Sequence, residues 1–216
     1  MRAQFNMGGV KCENDEVLRA IDALNLAIGA RRQVSFLYAK KDPDRHSRLQ
    51  RGGERYTVSP YALIWMLERY YLVCCMDGRD DLTHFRLDRM HKVRLEQGQW
   101  RHFSQVCGYR TRFDTADYAA KCVNMFGDRA RLVALRCENA LASDIFDRFG
   151  ANVSVSREGE SHFVAMLNVA AGEGFLAWVA QWGARMEILS PEDVRLAMKA
   201  RMEKAAALYG GEREER

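Results

Sequence analysis

Residues Tyr56 to Met90 read YTVSPYALIWMLERYYLVCCMDGRDDLTHFRLDRM. Three apolar runs stand there back to back. Tyr56–Met66 is rich in β-branched and aromatic residues, and Tyr70–Met76 is almost wholly apolar. Leu82–Leu87 alternates, with Thr83, Phe85 and Leu87 on one side and His84 and Arg86 on the other. Runs of this length between short polar breaks read as consecutive antiparallel strands. The breaks at Leu67-Glu68-Arg69 and at Asp77–Asp81 are short enough for hairpins. The stretch is therefore expected to be a β-meander. Its strands are apolar on nearly both faces, so it is expected to close into a barrel.

Working outward, Asn14 or Asp15 is a fair N-cap for a helix with Val17, Leu18, Ile21, Leu24 and Ile28 at helical spacing, ending at Gly29. Val34, Phe36 and Tyr38 alternate as a first strand. Residues Ala39–Gly53 hold five Lys/Arg against two Asp. They read equally as a mobile basic flap or as a solvated loop. Lys92–Gln97 is a closing strand. Gln99–Arg112 is a linker whose Trp100 and Phe103 plug the barrel's end, and Asp114–Met125 is helical. From Arg131 the pattern becomes strand 132–137, a helix capped by Asn139, a hairpin over 152–169, a helix Gly172–Trp182 with Gly183 following it, strand 185–189, and a last helix started by Ser190 at the cap and Pro191. The order β-α-β-β-α-β-α is ferredoxin-like with an added helix. This gives four parts: 1–30, 31–103, 104–130 and 131–210. Residues 1–13 and the charged tail 210–216 are expected to lack regular structure.

The chain has 216 residues, 48% of them hydrophobic, which suits a globular protein with one large core or two smaller ones. No apolar run reaches membrane-spanning length, and the N-terminus lacks the apolar core of a signal peptide. The six cysteines form no Cys-x-x-Cys pair. Buried reduced thiols in a cytoplasmic protein are expected rather than disulfides or a zinc site. The positive charge is concentrated: residues 31–103 hold 15 Lys/Arg against 9 Asp/Glu, a balance of +6 within a chain of net +4. An anionic partner would be drawn to that part.

There is no Gly-x-Ser-x-Gly, P-loop, Gly-x-Gly-x-x-Gly or His-Glu-x-x-His. Neither an enzyme nor a cofactor or metal site is expected, and Asp80-Asp81 suit a turn better than a metal. A binding surface is better supported. His84 and Arg86 share a strand face, with Arg89 just beyond. Ser59 and Tyr61 share a face of their own strand, and Tyr71 lies on the neighbouring one. Guanidinium groups beside hydroxyls and aromatic faces suit phosphates and stacked bases. Arg86 could instead pair structurally with Asp88 or Asp81, and Arg89 could be a solvated charge. Trp65 and Tyr70 are expected in the core. Trp178, Trp182, Phe146 and Phe149 are core or subunit contact. With Phe163 and Phe175 they are many large side chains for a small unit, which points to a homodimer through 131–210.

SPYALIW, YYLV and HFRLDRM together resemble the core of a WYL domain, with Tyr70-Tyr71-Leu72 at the Trp-Tyr-Leu position. The resemblance runs from Asn14-Asp15 through Arg32–Tyr38 and past the meander. The C-terminal part resembles the WCX-like extension that often follows such domains. What this implies is an α+β protein: a helix with an Sm-like, SH3-type barrel, then a ferredoxin-like domain. It implies the ligand-sensing part of a bacterial transcription regulator. The ligand would be single-stranded nucleic acid or a nucleotide, held at Ser59, Tyr61, Tyr71, His84, Arg86 and Arg89. The helix-turn-helix that usually precedes this region does not fit in the roughly thirty residues before the first strand, so DNA would be read only through a segment not in this chain. The alternative is a stand-alone protein-interaction module without a ligand of its own.

Overall fold

The computed structural model describes residues 14–128 and 130–210, in two compact units that divide between Phe113 and Asp114. The expectations for 1–13 and for the end of the tail lie outside the described residues. So does the N-cap of the first helix, because α1 (Asn14–Ala30) already contains Asn14 and Asp15.

In the first unit, α1 lays Leu24 and Ala27 against the strands, both fully buried, with Val17 and Ile21 beside them. The strands are β1 (Val34–Lys41), β2 (Ser47–Leu49), β3 (Tyr56–Met66), β4 (Arg69–Met76), β5 (Leu82–Arg86) and β6 (Met90–Leu95). Hydrogen bonding runs β2-β1-β3-β4-β5, and β6 pairs with the other edge of β1. The result is a curled antiparallel sheet. Its path is left open between β5 and β6, which are joined by a 3-10 turn, Leu87–Arg89. The concave side is aromatic: Phe36 stacks on Tyr56 at 5.7 Å and meets Phe85 edge-on at 5.0 Å. Burying each such ring contributes about 1.5–3 kcal/mol. Arg55 ties β1 to β6, donating to the Ser35 hydroxyl and to the Ser35 and Lys92 carbonyls at 2.6–2.8 Å.

Three local expectations are corrected. The basic stretch 39–53 is largely exposed, as a solvated segment would be, but it is not all loop. β1 runs on to Lys41 and pairs with β2, and the 3-10 turn Gln50–Gly53 follows. The β3–β4 turn is only Leu67-Glu68, both with positive φ (50° and 57°), so Arg69 belongs to β4. Finally, the β3–β4 ladder shifts between Pro60 and Ala62, leaving Tyr61 as the extra residue of a bulge.

The second unit holds α2 (Thr115–Lys121), β7 (Ala130–Glu138), α3 (Ala142–Phe149), β8 (Ser154–Glu158), β9 (His162–Ala170), α4 (Glu173–Ala180), β10 (Met186–Ser190) and α5 (Glu192–Ala207). The sheet order is β10-β7-β9-β8, every neighbouring pair antiparallel. Val133, Leu135 and Cys137 on β7 and Phe163, Ala165 and Leu167 on β9 point to one face, where Ile145, Phe175 and Val179 of the helices complete the core. Helix ends depart from the sequence reading. Asp114 caps α2, accepting from the Ala116 and Asp117 amides, but α2 stops at Lys121. Asn139 caps nothing: its amide donates to the Glu160 carbonyl. Pro191, not Ser190, holds the N-cap position of α5, without a side-chain bond.

Gly174 is required by packing. A Cβ there would lie 2.1 Å from the Val123 carbonyl oxygen and 2.9 Å from Phe126 Cβ. Gly174→Ala is expected to destabilise the second unit by about 1–3 kcal/mol. It should lower the urea midpoint at unchanged slope. An unchanged midpoint would show that the backbone yields without cost.

Candidate functional site

Directly opposite residues in an antiparallel ladder share a face. Three rows cross the convex face of the first sheet: Ser59 opposite Cys75; Ala62, Val73 and His84; and Ile64, Tyr71 and Arg86. Ser59, Tyr71, His84 and Arg86 therefore share one face, in two different settings, whereas Arg89 lies in the turn after β5.

Ser59 and Tyr61 are sealed. They are 2% and 5% exposed, and the segment after β6 crosses over them. The Ser59 hydroxyl accepts from the Arg101 amide at 2.9 Å, and the Tyr61 hydroxyl donates to the Arg101 carbonyl at 3.0 Å. Trp100 and Phe103 stand edge-on to the Tyr61 ring and Phe113 stacks on it. Trp100 donates its indole N–H to the Pro60 carbonyl at 3.1 Å. Burial pushes the Tyr61 phenol far up, with Cys75 adding to the shift. Tyr61 is thus a core residue in this structure.

Tyr71, His84 and Arg86 are half-buried beyond that cover. Arg86 donates to both oxygens of Asp88, at 3.0 and 2.6 Å. Arg69 approaches the same carboxylate at 3.7 Å. Burial pushes the Asp88 carboxyl up, but the hydrogen bonds from Arg86 and the charges of Arg86, Arg69 and Arg89 outweigh it, so the net shift is downward. The hydrogen bond to Asp88 in turn raises Arg86 above its ordinary value. Arg89 closes the 3-10 turn and lies near both Asp88 and the Tyr38 hydroxyl. That hydroxyl accepts from the Arg86 amide at 3.3 Å. Two guanidinium groups thus meet one carboxylate, a third adds its charge nearby, and Tyr71 lies opposite Arg86 in the ladder. Such a cluster carries net positive charge and can meet a phosphate or another anion with forked donors.

Sequence reasoning missed Arg69 and Tyr38 in this cluster. Arg69 shares the Tyr71 face by period two, which a two-residue turn at Leu67-Glu68 would have revealed. Trp65 and Tyr70 are corrected from core to surface. They are 60% and 39% exposed, and their rings meet at 4.6 Å on the other side of the hairpin. Elsewhere, Asp42, Asp44 and His46 bring ligating atoms within 4.8 Å of one another. Asp42 is already engaged, accepting from the His46 amide at 2.9 Å and from Arg48 at 2.6 Å. This is turn chemistry. Among the described residues no helix is long and apolar enough to cross a membrane.

Comparison with known proteins follows the same division. The WYL domain family matches residues 19–95, and the WCX domain family matches residues 129–206. The chain belongs to the WYL-domain proteins that carry a WCX domain. No curated protein sequence matches it. Among solved structures, a CRISPR Cas-related protein matches with a TM-score of 0.51 at 14% identity, over 92% of this chain and 54% of that one. Proteasome accessory factor B/C (PafBC) of Arthrobacter aurescens matches with a TM-score of 0.37 at 20% identity, over 94% of this chain and 29% of that one. The chain thus spans at most about half the length of these structures.

The lowered Asp88 gives a pH prediction. A carboxyl depressed by folding adds stability above its unfolded value, and that stability is lost as pH falls through the folded value. Asp88→Asn is expected to cost about 1–3 kcal/mol at neutral pH. The gap to the parent should narrow below about pH 4, where the parent loses the same contribution. Urea midpoints from pH 7 to pH 2 read this. A gap that is constant across the range would mean that the Asp88 charge does not matter.

Proposed function

We propose that this chain is the ligand-sensing part of a bacterial transcription regulator. Single-stranded nucleic acid or a nucleotide binds at Tyr71, His84, Arg86 and Arg89, with Arg69 added to the set. One observation carries the reading: Arg86 and Arg69 meet on the single Asp88 carboxylate, with the charge of Arg89 also acting on it and the half-buried Tyr71 directly opposite Arg86 in the ladder. Ser59 and Tyr61 serve as support under the cover and do not touch ligand. The curled sheet, with β1 pairing on both edges, supports an Sm-like, SH3-type barrel for 31–103. The order β10-β7-β9-β8 supports a ferredoxin-like domain for 131–210. The WYL and WCX domains favour regulation over catalysis in a cytoplasmic protein. DNA is read by a helix-turn-helix outside these residues.

Oligonucleotide binding at such a face is largely electrostatic and falls steeply with salt. Arg86→Ala is expected to weaken it by roughly 1–3 kcal/mol and Tyr71→Ala by a similar amount. Asp88→Asn is expected to strengthen it, because a competing anion is removed. Thermal unfolding first establishes that each variant is folded. Titration of a panel of oligonucleotides and cyclic dinucleotides then reads the affinity. Folded Arg86→Ala that binds like the parent moves the site elsewhere. A parent that binds nothing on the panel favours the second reading, a protein-interaction module without its own ligand. The surface aromatic pair Trp65–Tyr70 with the 58%-exposed Leu67 supports that reading.

We also propose a homodimer through 131–210. The large rings do not support it: Phe163 and Phe175 are buried, and Phe149, Trp178 and Trp182 pack on the unit's own core. Support comes instead from the sheet face turned away from that core, where Leu132 and Met166 are 61% and 36% exposed, and from Leu196 and Met202 on α5. Light scattering at tens of micromolar should give twice the chain mass, and Leu132→Glu with Met166→Glu should halve it. A monomeric parent at that concentration excludes a stable dimer.

A further inference from the structure

The covered end of the convex face holds a cavity of about 480 Å³, walled by Gln33, Cys75, Asp77, Gln99, Trp100 and Arg101. It lies four residues along β4 from Tyr71, roughly 13 Å at strand rise. Its chemistry differs from that of the arginine cluster. The Arg101 guanidinium is spent on the Arg79 carbonyl at 2.6 Å and the Asp80 carboxylate at 2.7 Å. With Asp77 on the same wall, the cavity offers no surplus positive charge for a phosphate.

Gln33 sits just before β1 and is 7% exposed. Its carbonyl accepts from the Glu96 amide at 2.8 Å, but among the described residues its side-chain amide has no hydrogen-bond partner. The amide is not sealed inside the protein: it lines the cavity, open to solvent and to a ligand. The bare Gly98 backbone packs close to it: a Cβ on Gly98 would lie 2.1 Å from the Gln33 Oε1 atom and would displace the amide. Trp100, half-buried and fixed by its bond to the Pro60 carbonyl, brings an aromatic ring to the same cavity.

We propose that this cavity is a second binding site of the first unit, for an uncharged planar group with adjacent hydrogen-bond donor and acceptor, the edge of a nucleobase. A side-chain amide matches such an edge with one donor and one acceptor, and an indole offers it a flat apolar neighbour. The base arrives either as a free nucleoside or within a strand. The proposal does not depend on the Arg86 cluster.

The test titrates the full chain with adenosine, guanosine, cytidine and uridine by calorimetry. At least one is expected to bind, with little dependence on salt. Gln33→Leu, similar in volume without the amide, should weaken that binding by about tenfold or more, the loss of a hydrogen-bonded pair at a buried position. Arg86→Ala should leave it unchanged. Gly98→Ala, which displaces the amide, should weaken it too. Because the amide has no partner in the protein, Gln33→Leu should also leave thermal stability unchanged or raised. Nucleoside displaced by a short oligonucleotide in a Gln33-dependent way identifies a base within a strand. Nucleoside that binds without such competition identifies a free ligand. No binding of any nucleoside at millimolar concentration, or binding that survives Gln33→Leu, overturns the proposal and leaves the arginine cluster untouched.

Discussion

The first unit is governed by one constraint: its central strands are apolar on both faces, so both faces must be covered. On the concave side, Leu72, Phe85 and Phe36 are covered by α1 through Leu24 and Ala27. On the convex side Tyr61, Ala62, Val73 and Cys75 are also almost completely buried. There the segment after β6 lays Trp100, Phe103 and Phe113 around Tyr61. Directional bonds fasten this cover: the Arg101 main chain bonds Ser59 and Tyr61, and Trp100 bonds Pro60. Tyr71, His84 and Arg86 lie on the same face in the following rows, and they are only half-buried.

This arrangement separates two kinds of surface on one sheet. Near Asp88 the side chains are charged, and each guanidinium keeps access to water: Arg69 and Arg86 retain 35% and 26% exposure. Near Gln33 the surface is recessed and its charges are matched within the wall. A charged group in water gains from an ionic partner and loses on desolvation, whereas a neutral amide lining a recess exchanges a hydrogen bond to water for one to a ligand at little desolvation cost.

Much of the meander was legible. The strand runs, their breaks and the grouping of Tyr71 with Arg86 follow from period-two alternation and from register. What was not legible traces to single residues. Counting by twos from Ser59 places Trp65 on the Ser59 face. The bulge at Tyr61 reverses that parity, so Trp65 pairs with Tyr70 on the face of Leu63 and Leu72, and both are exposed there because they stand at the turn end of the hairpin. Nothing in SPYALIW announces a bulge. The β3–β4 turn hid in the same way. Leu67 and Glu68 take up left-handed backbone that usually calls for Asn or Gly, so their residue types give no turn signal and Arg69 reads as part of the loop. In the second unit, strand and helix order could be read from periodicity, but the caps could not. Asn139 found a partner across the β8–β9 turn rather than at its helix, and such long-range partners leave no local trace.

Asp88 has a consequence for discrimination. It is tethered two residues from Arg86, so it acts as an internal anion at high effective concentration. Any anion arriving from solution must displace it or share its donors. A single weakly held phosphate gains little by that exchange. A polyanion that engaged Arg69, Arg86 and Arg89 together would gain several contacts for one lost. At the proposed site the carboxylate would therefore set a threshold, rejecting small anions and admitting those with several charges at the right spacing.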